Sequence, residues 1–114
     1  MPIEHTDQID GMGIDGENGE YLRLLITDHL EWQENVSSLS EYDHLLLLQD
    51  KVNAYLSFLE ARQYKEHYPD NNFSLAIIEI HFKFDITEKC EKFLQTVQEQ
   101  VGQHGIKIEA HVTG

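Results

Sequence analysis

Positive charge is scarce in this chain: eight Lys and Arg stand against 21 Asp and Glu, a formal net charge of −13 over 114 residues. The deficit is regional. Residues 1–50 hold twelve acids and one base, Arg23, whereas residues 51–114 hold nine acids and seven bases. Such a field repels a phosphate backbone, which argues against a nucleic-acid partner, and attracts a basic protein. Long apolar runs are missing too. No stretch approaches the roughly 18 to 20 apolar residues that span a bilayer, and "MPIEHTDQID" lacks the basic and apolar regions of an export signal, so a cytoplasmic protein with no membrane association is expected. The single cysteine, Cys90, excludes an internal disulfide; it falls among Phe93, Leu94 and Val97 at helical spacing, where a free thiol behaves as a small buried hydrophobe. With only two prolines, Pro2 and Pro69, the interior is free of breakers and no linker is visible.

What is present suffices for one core. A chain of this length with 40% hydrophobic residues makes a single domain, expected over residues 9–114, with the polar residues 1–8 disordered. "IDGMGID" and "EYLRLLIT" read as two strands around Asp15-Gly16-Glu17-Asn18-Gly19, whose glycines and Asn18 suit the positive-φ positions of a hairpin turn. A helix follows. Ser38 with Glu41 forms a capping box, and Leu45, Leu48, Val52, Tyr55 or Leu56, and Leu59 recur at helical spacing to about residue 63. Leu46 and Leu47 lie beyond that stripe, which leaves a surplus for a loop or a second copy of the chain.

"FSLAIIEIHFKFD" alternates as a strand, with Ala76, Ile78, Ile80, Phe82 and Phe84 inward. Asp85 or Thr87 caps a second helix whose stripe is Cys90, Phe93 or Leu94, Val97 and Val101, and Gly105 ends it before the strand "IKIEAHV". The order is ββαβαβ. It predicts an α+β two-layer sandwich, a four-stranded mixed sheet with two helices on one face and the last two strands parallel. The other face carries Arg23, Thr27, Glu79, His81, Lys83, Lys107, Glu109 and His111, mixed in sign as a solvated surface would be.

Chemistry is sparse. "TDHLEWQE" offers Asp28, His29 and Glu31 within four residues, but neighbouring side chains of one strand end cannot surround an ion unaided, and an acid/base His needs a partner within reach. The reading preferred is that Asp28 accepts backbone N–H groups at the strand end while Leu30 and Trp32 turn inward. The seven histidines form no HxH or HExxH spacing. His81 and His111 would meet if the third and fourth strands are neighbours, and with Glu79 or Glu109 could hold a metal, although two exposed strand histidines are the simpler reading. No catalytic, cofactor or metal role is therefore assigned, and no cofactor is expected.

"ITDHLEW", then "HLLLLQDKVNAYLSFLE", "YPD" and "FKF", resembles an uncharacterised bacterial family of small acidic cytoplasmic proteins, a domain of unknown function, over roughly Thr6 to Val112. The resemblance implies an α+β fold and no activity. "QENVSSLSEYD" departs from it as an expanded connection. The expected function is accordingly a non-enzymatic interaction with a basic protein partner, immunity-like or regulatory, through Asp28, Glu31, Trp32, Glu34, Glu41, Tyr42 and Asp43, with Trp32 and Tyr42 as anchors, the chain being a monomer or homodimer. The alternative is a small-molecule or metal-binding domain using the open sheet face and the 28–44 connection. The first expectation rests on histidines and carboxylates that do not converge.

Overall fold

A computed structural model of the chain describes residues 9–32 and 40–112. Two strands, β1 (Gly11–Ile14) and β2 (Tyr21–Asp28), precede helix α1 (Glu41–Glu60), β3 (Leu75–Phe82), helix α2 (Glu88–Val101) and β4 (Ile106–Val112). Sheet order is β1-β2-β3-β4; β1 runs antiparallel to β2, and β2, β3 and β4 are parallel. This is the expected mixed sheet in an α+β fold.

Period-two alternation decides which side chains meet the helices. Leu22, Leu24 and Ile26 of β2 and Ile78, Ile80 and Phe82 of β3 share one core with Leu48, Val52 and Tyr55 of α1 and Cys90 and Leu94 of α2, so both helices cover one face. The cover stops short of the last strand's end, where Ala110 and Val112 are exposed. Local chemistry sets the boundaries. Ser40 accepts a hydrogen bond from Asp43 N at 3.1 Å and Thr87 accepts one from Cys90 N at 3.2 Å, each satisfying a first-turn donor. Ser40 thus caps α1, and the expected cap Ser38 lies outside the described residues. The helix also ends sooner than its apolar spacing suggests, because Arg62 adopts a left-handed conformation (φ 55°) just beyond it.

The hairpin turn differs from expectation. Neither Gly16 nor Gly19 has positive φ. The Asp15 carboxylate instead accepts from Glu17 N and Asn18 N, and Asn18 Oδ1 accepts from Glu20 N, so side chains hold the turn that the glycines were expected to make. Gly105 is where positive φ is used (73°); a Cβ there would stand 3.3 Å from Ser74 O.

The buried stripe of α1 is not wholly apolar. Lys51 is fully buried, and its Nζ donates to Asp10 Oδ1 at 2.7 Å. Asp10 Oδ2 accepts from Thr27 N, and Asp10 N donates to the Tyr55 hydroxyl, which in turn donates to Leu25 O. Burial pushes the Tyr55 phenol well up, so it stays a neutral donor. The network ties the segment before β1 to α1 and to β2. Removing either partner, as in Asp10→Ala or Lys51→Met, leaves the other buried without this counter-charge and is expected to cost about 3–5 kcal/mol, whereas Asp10→Ala/Lys51→Met, which removes both charges, should cost much less than the two single losses added. Urea unfolding of the two single variants and of the double variant checks the coupling; additive losses would contradict it.

Candidate functional site

At the end of β2, the strand-ending role expected of Asp28 is present: its Oδ1 accepts from Leu30 N at 3.1 Å. The acid/base question, however, has a partner the expectation lacked. His44, sixteen residues on and in the first turn of α1, places Nε2 2.6 Å from Asp28 Oδ2, with both side chains fully buried. Trp32 stacks on the His44 ring at 3.5 Å between centroids and 16° between planes, and tilts against Phe82. Cys90 is buried in the same core, and its thiol is pushed up to about 12 by burial and then by the Asp28, Glu41 and Glu91 carboxylates, which leaves it unreactive at neutral pH. Sequence contained one signal for His44: it lies four residues before Leu48 and eight before Val52, on the buried stripe.

Three of the seven expected interface residues are therefore unavailable as a described surface. Asp28 is buried, Trp32 is 6% exposed and forms part of the core, and Glu34 lies outside the described residues. Trp32 is not a surface anchor because its ring fills the space between His44 and Phe82. Glu31 is half-buried, and Glu41 is half-buried with Lys89 Nζ 3.6 Å away. Tyr42 is 69% exposed and Asp43 is exposed. One turn after Tyr42 comes Leu46, 39% exposed, so a pair of large apolar groups marks the outward face of α1.

The open sheet face does not have the loosely solvated character expected of it. In-register parallel pairing sets Glu79 opposite Glu109 and His81 opposite His111. Each strand thus presents Glu-x-His, and like residues stand side by side, an arrangement unfavourable for charges unless countered. Arg23 counters it from β2. Its Nη1 lies 3.2 Å from Glu79 Oε1 and 3.2 Å from Glu109 Oε1, while its Nε donates to Asp15 in the hairpin turn. Lys107 Nζ lies 3.4 Å from Glu109 Oε2. His111 Nε2 stands 3.3 Å from Glu109 Oε1 and 4.0 Å from Glu79 Oε1, His81 Nε2 stands 3.8 Å from Glu79 Oε1, and the two imidazoles stack at 5.0 Å. The expectation that histidines and carboxylates never converge is corrected here: strand register brings them together.

A cavity of about 260 Å³ lies where the C-terminal ends of both helices approach the starts of β3 and β4. Its walls are mainly apolar, among them Leu22, Leu56, Leu59, Phe73 and Ile106, and it gathers no comparable titratable cluster.

The fold and its faces define a small acidic two-layer α+β protein. The chain belongs to DUF6572, a family of unknown function, which it matches over residues 1–114. No curated protein and no solved structure matches it. Among the described residues no helix is long and apolar enough to cross a membrane.

Two measurements examine these clusters. In His44→Ala, Asp28 Oδ2 loses its buried donor and Trp32 its stacking ring; a destabilisation of at least about 3 kcal/mol is expected, with emission of the single tryptophan shifted to longer wavelength. Unchanged emission would contradict the stack. On the open face, the Arg23 hydrogen bond holds Asp15 below its ordinary 3.8 despite opposing burial, with help from Glu17 N and Asn18 N. For Glu109, burial acts upward but is outweighed by hydrogen bonds from Arg23, His111 and Lys107, leaving it below 4.5. Depressed carboxylates stabilise the fold fully above their unfolded values, and that contribution fades as pH falls through the lower folded values. The stability gap between the natural chain and Arg23→Gln should therefore narrow between about pH 6 and pH 3, as urea titrations at several pH values would show.

Proposed function

We propose that this protein is a non-enzymatic interaction protein that docks a basic protein partner, in an immunity-like or regulatory role, through the outward face of α1. The observation that carries this reading is the exposed pair Tyr42 and Leu46, one helical turn apart, beside the exposed Asp43 and Asp50 and with Glu41, half-buried against Lys89, at the edge. The only base in α1, Lys51, is buried against Asp10 and adds nothing to that face. An aromatic and an aliphatic group ringed by carboxylates complement a partner surface rich in Lys and Arg: the ring supplies a desolvated anchor, and the acids steer encounter. The regional charge, −11 in residues 1–50, adds reach to that steering.

Capture from an extract of the native host is expected to retain a basic protein. Binding measured afterwards between the two purified proteins should weaken as salt rises above about 0.15 M, since exposed charges are then screened. The double variant Asp43→Lys/Asp50→Lys should abolish it, and Tyr42→Ala should weaken it by about 2 kcal/mol. An affinity indifferent to salt and to both substitutions would count against this surface.

A further inference from the structure

We infer that the two Glu-x-His pairs of the open sheet face, Glu79 with His81 on β3 and Glu109 with His111 on β4, form a binding site for a divalent transition cation of the zinc, nickel or copper class. This site is separate from the outward face of α1 and stands or falls independently of the docking reading.

The donor set comes from strand geometry. Residues two apart on a strand share a face, so each Glu-x-His offers one carboxylate and one imidazole, and in-register parallel pairing sets two such offers side by side. One ligand atom each from Glu79, Glu109 and His111 lie within 4.8 Å of one another; His81 falls outside that group and joins it by way of Glu79, whose Oε1 is 3.8 Å from its Nε2. In a tetrahedral site with bonds of about 2.0–2.1 Å, donors stand roughly 3.3 Å apart. His111 Nε2 and Glu109 Oε1 already stand at 3.3 Å; His81 Nε2 to Glu79 Oε1 and His111 Nε2 to Glu79 Oε1, at 3.8 and 4.0 Å, need only small closures.

Charge points the same way. Asp15, Glu79 and Glu109 share the Arg23 guanidinium and Lys107 Nζ stands 3.4 Å from Glu109 Oε2, three carboxylates against two cations, so the cluster keeps net negative charge for a dication, which on binding displaces Arg23 Nη1 from the Oε1 atoms. Two imidazoles beside two carboxylates select a borderline cation over Mg²⁺ or Ca²⁺, which take oxygen ligands. Both rings remain partly open to solvent, which supplies an entry path.

The test is calorimetric titration of the untagged full chain with ZnCl₂ and NiCl₂, with MgCl₂ as comparison. One cation per chain is expected for zinc or nickel, with affinity falling as histidine protonation competes at lower pH. His111→Ala and His81→Ala should each weaken it by more than the roughly tenfold loss that removing even an outer partner of a ligand causes. His67→Ala and His104→Ala, which alter exposed histidines elsewhere, should leave it unchanged. Absence of saturable binding, equal losses in all four variants, or magnesium binding as tightly as zinc would each overturn the assignment. Circular dichroism of each variant separates loss of the site from loss of the fold.

Discussion

Register between β3 and β4 is the constraint on which both faces of this protein depend. The two strands are parallel and aligned so that Ile78 faces Ile108 on the helix side while Glu79 faces Glu109 and His81 faces His111 on the other. A slip of one residue would turn the entire set over, placing glutamates and histidines beneath the helices and isoleucines in water. Burial of Ile78, Ile80 and Phe82 resists that slip: at about 25 cal/mol per Å² of apolar surface removed from water, each large side chain contributes roughly 1.5–3 kcal/mol. Apolar burial on one face therefore holds the charged constellation of the other in place, although none of its members takes part in the core.

The position of α1 on the sheet is set less by apolar contacts alone than by two polar links set into its buried stripe. His44 bonds to Asp28 where β2 ends, and two turns later Lys51 bonds to Asp10, with Tyr55 reaching Leu25 O. Leucine packing tolerates rotation or sliding of a helix by a few degrees, whereas a hydrogen bond between buried partners does not, because a misplaced partner leaves a desolvated polar atom. These links add little net stability over an apolar alternative of the same shape. Their effect is to select one seating of α1, and that seating turns Tyr42 and Leu46 outward.

How much of this was legible in the sequence follows from the range of each interaction. Elements bounded by local chemistry could be read: alternation in β2 and β3, Thr87 before α2 and Gly105 after it depend on neighbours within a few residues. Ser38 and Ser40 both precede the same acidic turn, so spacing alone does not single out Ser40, whose extended backbone and bond from Asp43 N make it the cap. The hairpin glycines misled because turn chemistry offers two solutions, positive φ or an Asp side chain accepting from the next N–H groups, and Asp15 supplied the second. Trp32 misled for a different reason. A tryptophan beside carboxylates resembles an interface anchor until the flat partner twelve residues away is known, and the His44 ring fixes it inward only in three dimensions. The repeated Glu-x-His was visible as letters; its convergence needed the pairing of β3 with β4 in that exact alignment, a nonlocal fact.

Charge links these features. Of the few bases the chain has, Lys51 is consumed in the interior and Arg23 is divided among Asp15, Glu79 and Glu109, so neither offsets the acids of the helix layer. The two layers consequently carry different kinds of negative charge. On the open sheet face the carboxylates of Glu79 and Glu109 are paired with Arg23 and Lys107 and partly desolvated. On α1, Glu41 meets Lys89, but Asp43 and Asp50 are exposed, and their field extends into solvent over about one Debye length, roughly 8 Å at physiological salt. Reach of that kind suits a macromolecular surface approaching from solution. The same net charge therefore divides, by where its few counter-ions are placed, into a paired set on the sheet and a solvent-facing set on α1, the division on which both proposals rest.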